Sequence, residues 1–168
     1  MTTVYIGIGS NLEPVKHIKA ALRLLEQHFG QLTKSPIYQN PAVGFEGPDF
    51  LNMVVAFESD LSFDQIPTLL QQVEAEVGLA TEQKRKYRSR IIDLDLLLVG
   101  NTVFKDETIT LPRPGITQFA FILKPLTDIA PNLIDPKTQI QYKESMELLE
   151  SEYDMQQLQQ IIFSGETK

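Results

Sequence analysis

Cysteine is absent from all 168 residues, which excludes disulfides, thiolate metal sites and a cysteine nucleophile, and fits a reducing compartment. No apolar run approaches the roughly 20 residues that a membrane span needs, and the N-terminus lacks a basic stretch followed by an apolar core and cleavage site. A cytoplasmic protein with no membrane partner is expected. Basic charge is also scarce, with 15 Lys and Arg against 22 Asp and Glu and a net charge of -7. General nucleic-acid binding needs a broad basic face to displace counterions, so no nucleic-acid partner is expected. A local basic cluster could still hold a small anion.

Several familiar catalytic patterns are missing as well. "GIGSN" contains Gly7 and Gly9, but no third glycine follows at the dinucleotide-binding spacing, and no GxxxxGK[ST] loop occurs. No serine sits in a nucleophile-elbow pattern. His17 and His28 are eleven residues apart in one helical stretch, which does not stack them on adjacent turns as metal ligands. Both are expected at the surface. Chemistry, if present, should depend on a metal and on positioning.

What is present reads as one domain large enough to bury a core. In "TVYIGIGS", Val4, Ile6 and Ile8 alternate with Tyr5, Gly7 and Gly9, the period of a half-buried strand. Val15, Ile18, Leu22, Leu25 and Phe29 recur at helical spacing between Pro14 and Gly30. "KSPIYQN" and "LNMVVAFES" read as two strands around the loop "PAVGFEGPDF", which should cover something or move. Ser62 and Gln65 form a capping box before Ile66, Leu69, Leu70, Val73 and Val77, the stripe of a second helix ending at Gly78. "IIDLDLLLV" supplies a fourth strand. Strand, helix, strand, strand, helix, strand is the α+β, ferredoxin-like βαββαβ arrangement, an antiparallel sheet with helices on one face. "NTVF" and "ETITLP" suggest a hairpin, and a glutamine-rich helix is expected over about 147–163. The whole is expected to be a single domain over 1–168, with its core at about 3–135 and a helical extension at about 143–163.

In "RIIDLDLLLVG", Asp93 and Asp95 are two apart in a strand, so they share a face with Cα atoms roughly 6.5 to 7 Å apart, while Leu94 and Leu96 face the core. Like charges this close each want water or a cation. Two solvated aspartates would satisfy that, and so would a divalent ion, for which hard carboxylate oxygens and substrate phosphates suit magnesium. The preceding "TEQKRKYRSR" concentrates Lys84, Arg85, Lys86, Arg88 and Arg90 in an acidic protein. A polyphosphate chelating magnesium needs both sets, carboxylates for the metal and cations for the other oxygens. Alternation puts Arg90 on the face opposite Asp93 unless the chain bends at the strand entrance.

"YIGIGSNL", "NPAVGFEGPDFLNMVV", "RSRIIDLDLLLVG" and "LPRPGITQFAFILKPLTDIAP", in that order and spacing, resemble the 6-hydroxymethyl-7,8-dihydropterin pyrophosphokinase family of folate biosynthesis. The resemblance runs from about Val4 to Pro131. It implies a monomeric ferredoxin-like enzyme that moves the β,γ-diphosphate of ATP onto the pterin hydroxymethyl group, releasing AMP, with two Mg2+ ions. It implies that Asp93 and Asp95 bind the metal and that Arg90 acts with them on the phosphates. Phe50 and Phe121 would stack on the pterin, Asn52 would read its edge, and backbone groups near Asn40 and Val43 would complete the pocket. Gln71, Glu74, Lys86, Arg88, Thr110, Pro112 and Arg113 match the nucleotide side.

The chain departs from the family pattern in places. Leu79 and Thr81 stand where basic residues are common, Tyr87 stands for a tryptophan, and Lys86 is at a neighbouring arginine position. Arg113 replaces a histidine and Phe119 an arginine. Each phenylalanine alone would also suit ordinary core packing. Two other readings stay open at this point: a degenerate member that binds pterin or nucleotide without catalysis, and a ferredoxin-like interaction module.

Overall fold

The computed structural model describes residues 1–44, 46–79, 91–152 and 155–161. β1 (Thr2–Ser10) runs through the centre of the sheet, and its Val4, Ile6 and Ile8 are buried. α1 (Pro14–Phe29) starts with proline at its first turn and stops at Gly30, whose φ of 81° suits glycine and whose N–H donates to the Glu26 carbonyl at 2.9 Å. Ile18, Ala21, Leu22 and Leu25 form its buried stripe, whereas Val15 is exposed. β2 (Thr33–Lys34) and β3 (Ile37–Asn40) follow, and then the long β4 (Phe50–Ser59).

α2 (Ile66–Leu79) begins at the expected capping box, with the Ser62 N–H donating to Gln65 Oε1 at 3.0 Å. Its Ile66, Leu70, Val73 and Val77 are buried. β5 (Asp93–Val99) is followed by the hairpin β6 (Phe104–Lys105) and β7 (Thr110–Leu111). Asp106 turns that hairpin by accepting the N–H groups of Thr108 and Ile109 at 2.8 and 2.7 Å.

The sheet order is β5-β1-β4-β3, antiparallel throughout, which is the ferredoxin-like order expected from the βαββαβ succession. The cluster of Val4, Ile6, Ile8, Ile18, Leu25, Val55, Val73 and Val77 seals α1 and α2 onto one face. Each fully buried Ile, Leu or Val stabilises by about 1.5–3 kcal/mol before ordering costs are counted.

The second face is covered too, which departs from the expectation of helices on one face. α3 (Ala120–Ile129) and α4 (Tyr142–Glu152) pack there around Val54, Leu97, Leu98, Leu123, Leu126, Tyr142 and Met146. A β-bulge in the β1/β5 ladder makes this possible. Ile6 is opposite Leu96 but Tyr5 is opposite Leu98, so one residue of β5 is inserted. Leu97 and Leu98 therefore both join the second cluster, while Leu94, Leu96 and Val99 stay with the first.

The expected helix over about 147–163 is corrected. α4 lies earlier, at Tyr142–Glu152, and Gln159–Ile161 form a strand, β8, on the open edge of β3. An unpaired edge offers hydrogen bonds that outweigh the weak helix preference of three residues. His17 is also corrected, being 1% exposed rather than at the surface. It sits beside Ile18 on the buried stripe, and its Nδ1 donates to the Leu12 carbonyl at 2.6 Å.

Candidate active site

On the second face, the sheet's registers line up residues that are distant in sequence. Gly9 is opposite Asn52 on one side and Asp93 on the other; Gly7 is opposite Val54 and Asp95. Residues opposite each other in a ladder share a face. The two glycines therefore make a trough between the carboxylates of β5 and the amide of β4. At Gly9 the trough is obligatory, because a Cβ there would lie 2.7 Å from Asn52 Oδ1. At Gly7 a Cβ would make an ordinary 3.6 Å contact with Leu97.

Asn52 is buried, and its Nδ2 donates to Asn40 Oδ1 at 2.6 Å. That bond fixes the amide so that Oδ1 points over Gly9, ready to accept from an amine or ring N–H. Phe50 and Phe121 flank the same cavity of about 200 Å³, together with Val43, Asp93 and Asp95. The rings come from the start of β4 and the first turn of α3, two elements on either side of the trough. Phe119 leans on Phe121, with centroids 5.2 Å apart and planes tilted by 35°.

A second cavity of about 230 Å³ adjoins the first around the outer edge of β5, and Asp95 lines both. Gln71 and Glu74 reach it from α2, Thr110 from β7, and Arg113 from the segment after β7. Glu74 Oε2 accepts the Leu94 N–H at 3.0 Å, occupying an edge donor that no strand pairs among the described residues. The Arg113 N–H donates to the Leu97 carbonyl at 2.9 Å, and its Nη2 lies 3.5 Å from Asp95 Oδ1. Both side chains are around two-fifths exposed, at 44% and 41%, so this pair adds little stability.

The donor set suits a hard divalent cation. Asp93 and Asp95 share one face, are partly exposed, and look over a trough without side chains at Gly7 and Gly9. Among the described residues no group of three or more His, Cys, Asp or Glu converges, so an ion here would complete its shell with water and substrate oxygens, as Mg2+ does.

The expected pterin residues Asn40, Val43, Phe50, Asn52 and Phe121 thus line one cavity with the aspartates, and Gln71, Glu74, Thr110 and Arg113 line its neighbour. Lys86, Arg88 and Arg90, along with Thr81 and Tyr87, lie outside the described residues. The trough glycines were not singled out as site residues from sequence. Their signal was there, in two glycines that replace the outward-facing side chains of an otherwise regular strand.

Comparison with known proteins gives the family and the fold. The family model described as 7,8-dihydro-6-hydroxymethylpterin-pyrophosphokinase (HPPK) matches residues 5–131. The chain is 35% identical over 144 residues to the 2-amino-4-hydroxy-6-hydroxymethyldihydropteridine pyrophosphokinase of Haemophilus influenzae, covering 83% of this chain and 89% of that protein. The protein of the same name from Porphyromonas gingivalis is 37% identical over 139 residues, or 78% of this chain and 92% of that one. Among solved structures, an HPPK-DHPS in complex with substrates superposes with a TM-score of 0.76 at 11% identity, a likeness of fold. It covers 95% of this chain, which spans 46% of that longer one.

Proposed function

Because the chain belongs to the 7,8-dihydro-6-hydroxymethylpterin-pyrophosphokinase family, we propose that its two adjoining cavities carry out the reaction of that family. The chain is an ATP-dependent diphosphotransferase of folate biosynthesis, passing the pyrophosphoryl group of ATP to hydroxymethyldihydropterin. The observation that carries the site assignment is that Asp95 lines both cavities, one flanked by two aromatic rings and the other by Gln71, Glu74, Thr110 and Arg113.

In this reading the flat pterin lies between Phe50 and Phe121, whose faces suit a planar heterocycle. Asn52 Oδ1 accepts from its polar edge, and backbone groups near Asn40 and Val43 satisfy the rest. The nucleotide occupies the second cavity against Gln71, Glu74 and Thr110. Asp93 and Asp95 would hold Mg2+, in two ions, and the metal would supply charge to neutralise the transferring phosphates. Arg113 leaves Asp95 for a phosphate oxygen when the nucleotide arrives, and Arg90, Lys86 and Arg88 supply further cations. The pterin hydroxyl then attacks the β-phosphorus in line, with AMP as the leaving group. Positioning and charge carry the rate, because the described residues in reach serve as binding groups and the nucleophile comes from the substrate. The protein acts in the cytoplasm as a monomer, its 168 residues forming one catalytic domain.

The test is AMP release from ATP and magnesium, with and without 6-hydroxymethyl-7,8-dihydropterin. Pterin-dependent AMP is expected. A folded protein that binds both substrates yet forms no AMP would overturn the catalytic reading and leave a binding pocket.

A further inference from the structure

One buried polar tie lies just outside the cavity. The Tyr38 hydroxyl donates to Asp128 Oδ2, and Asp128 Oδ1 accepts from Lys124 Nζ at 2.8 Å. Tyr38 is 5% exposed, and the side chain of Asp128 is 18% exposed. Tyr38 belongs to β3, where it is opposite Asn52. A single row across the sheet thus reads Asp93, Gly9, Asn52, Tyr38, with the tyrosine next to the asparagine of the trough.

The other end of the tie is α3, the helix that carries Phe121. This helix lacks two of the usual supports. Phe119 occupies its N-cap position without a side-chain cap, and Pro125 stands inside it. Proline has no N–H, so residue 125 cannot donate to the Phe121 carbonyl one turn earlier. The Phe119 carbonyl accepts the Ile122 and Leu123 N–H groups at 3.1 and 3.0 Å, so the turn bearing the cavity ring is closed by backbone bonds but has neither a side-chain cap nor the bond to residue 121. Leu123 and Leu126 press the helix onto the sheet, which sets its depth, while apolar contact is non-directional and sets its place along the sheet less sharply than a polar bond does. A directional bond is what fixes position. Phe121, Lys124 and Asp128 are spaced i, i+3 and i+7, so they lie along one side of α3, and the bond to Tyr38 anchors the stripe to which Phe121 belongs.

We propose that Tyr38 is a positioning residue for the pterin substrate, holding Asp128 so that α3 keeps the ring of Phe121 at stacking distance over the trough. The proposal rests on the pterin lying between Phe50 and Phe121 as argued above. Tyr38 itself touches neither substrate nor metal.

Tyr38→Phe removes the hydroxyl and keeps the ring, and Asp128→Asn provides a second variant that leaves the tyrosine untouched. Binding of 6-hydroxymethyl-7,8-dihydropterin is measured in the presence of a non-transferable ATP analogue, and binding of Mg-ATP is measured alone. Both variants should weaken the pterin by about tenfold, the size of one lost hydrogen bond, with Mg-ATP affinity unchanged. Phe121→Ala should weaken the pterin at least as much, and Tyr38→Phe should add nothing further on that background, because the tyrosine acts through the ring. Unchanged pterin affinity in Tyr38→Phe and Asp128→Asn, with Phe121→Ala impaired, would overturn the tie alone. Equal weakening of both ligands, or full additivity with Phe121→Ala, would show general loosening and also overturn it. Unchanged affinity in Phe121→Ala would instead overturn the pterin placement on which the tie depends.

Discussion

Arg113 Nη2 stands 3.5 Å from Asp95 Oδ1, a cation beside one of the two carboxylates that suit a metal. In the proposed reaction the pair would have opposite duties toward the two ligands. Asp95 should attract Mg2+, whereas Arg113 should compete with the ion for the same oxygen and help only once phosphate is present. Asp95→Asn should therefore lower kcat by on the order of a thousandfold with little change in thermal stability, since the residue is partly exposed. Arg113→Met should bind Mn2+ or Mg2+ more tightly in the absence of nucleotide, yet raise the KM for ATP by roughly tenfold. Metal titration without ATP and steady-state kinetics separate the two effects. Tighter ATP binding in Arg113→Met would reverse the assignment.

Gly9 and Gly7 offer a matched pair on one strand. A Cβ at Gly9 falls 2.7 Å from Asn52 Oδ1, whereas at Gly7 it meets Leu97 at 3.6 Å. Gly9→Ala must displace the Asn52 amide, which is held by Asn40, so it should cost about 1–3 kcal/mol and lower Tm by several degrees. The pterin KM should rise sharply with it, because Asn52 no longer points into the trough. Gly7→Ala should fold with near-normal Tm. Calorimetry and pterin kinetics on the two variants check the contrast, and equal effects would mean that the trough is not shaped by Gly9.

These positions also show what could be read in the sequence. Asp93 and Asp95 were legible because a strand's period of two places both on one face, and the ladder with Gly9 and Gly7 bears that out. The order of the four core strands followed from the succession of elements alone. α3 was harder to see, since Pro125 and the uncapped Phe119 both argue locally against a helix that tertiary packing nonetheless stabilises. The Leu97/Leu98 bulge breaks alternation through the partner strand's register, which is a property of two strands and not of one. β8 was missed for the same reason, because "QQI" becomes a strand only beside β3. His17 looked solvated because the carbonyl of Leu12 that accepts from its Nδ1 is invisible to periodicity.

Glu74 links α2 to β5 at the second cavity. Its carboxylate accepts the Leu94 N–H from β5 at 3.0 Å, and it lines the cavity beside Gln71. Glu74→Ala leaves that donor to water and loosens α2 against the edge strand, so stability should fall by about 1–2 kcal/mol. The KM for ATP should rise several-fold while pterin affinity holds. Urea denaturation and ATP binding measure the two consequences, and a loss of pterin affinity alone would place Glu74 on the wrong side of Asp95.

Alkaline pH gives the final prediction through Tyr38. Burial first, then the hydrogen bond to Asp128 and its negative charge, push the phenol well above its ordinary value of 10.0. Burial raises Tyr142 in the same direction. A phenol whose folded value exceeds the unfolded one holds its proton more tightly when native, so the stability it confers is complete below about pH 10 and is lost as pH climbs toward the folded value. The urea midpoint should thus stay flat from neutrality to about pH 9.5 and then fall, by at most about 1.4 kcal/mol per pH unit for each such tyrosine. Tyr38→Phe should be less stable at neutral pH yet show a shallower alkaline decline, with Tyr142 and Tyr5, which burial also raises, sustaining what remains. An identical alkaline slope in the variant and the parent would mean that the Tyr38 phenol is not held protonated by the fold.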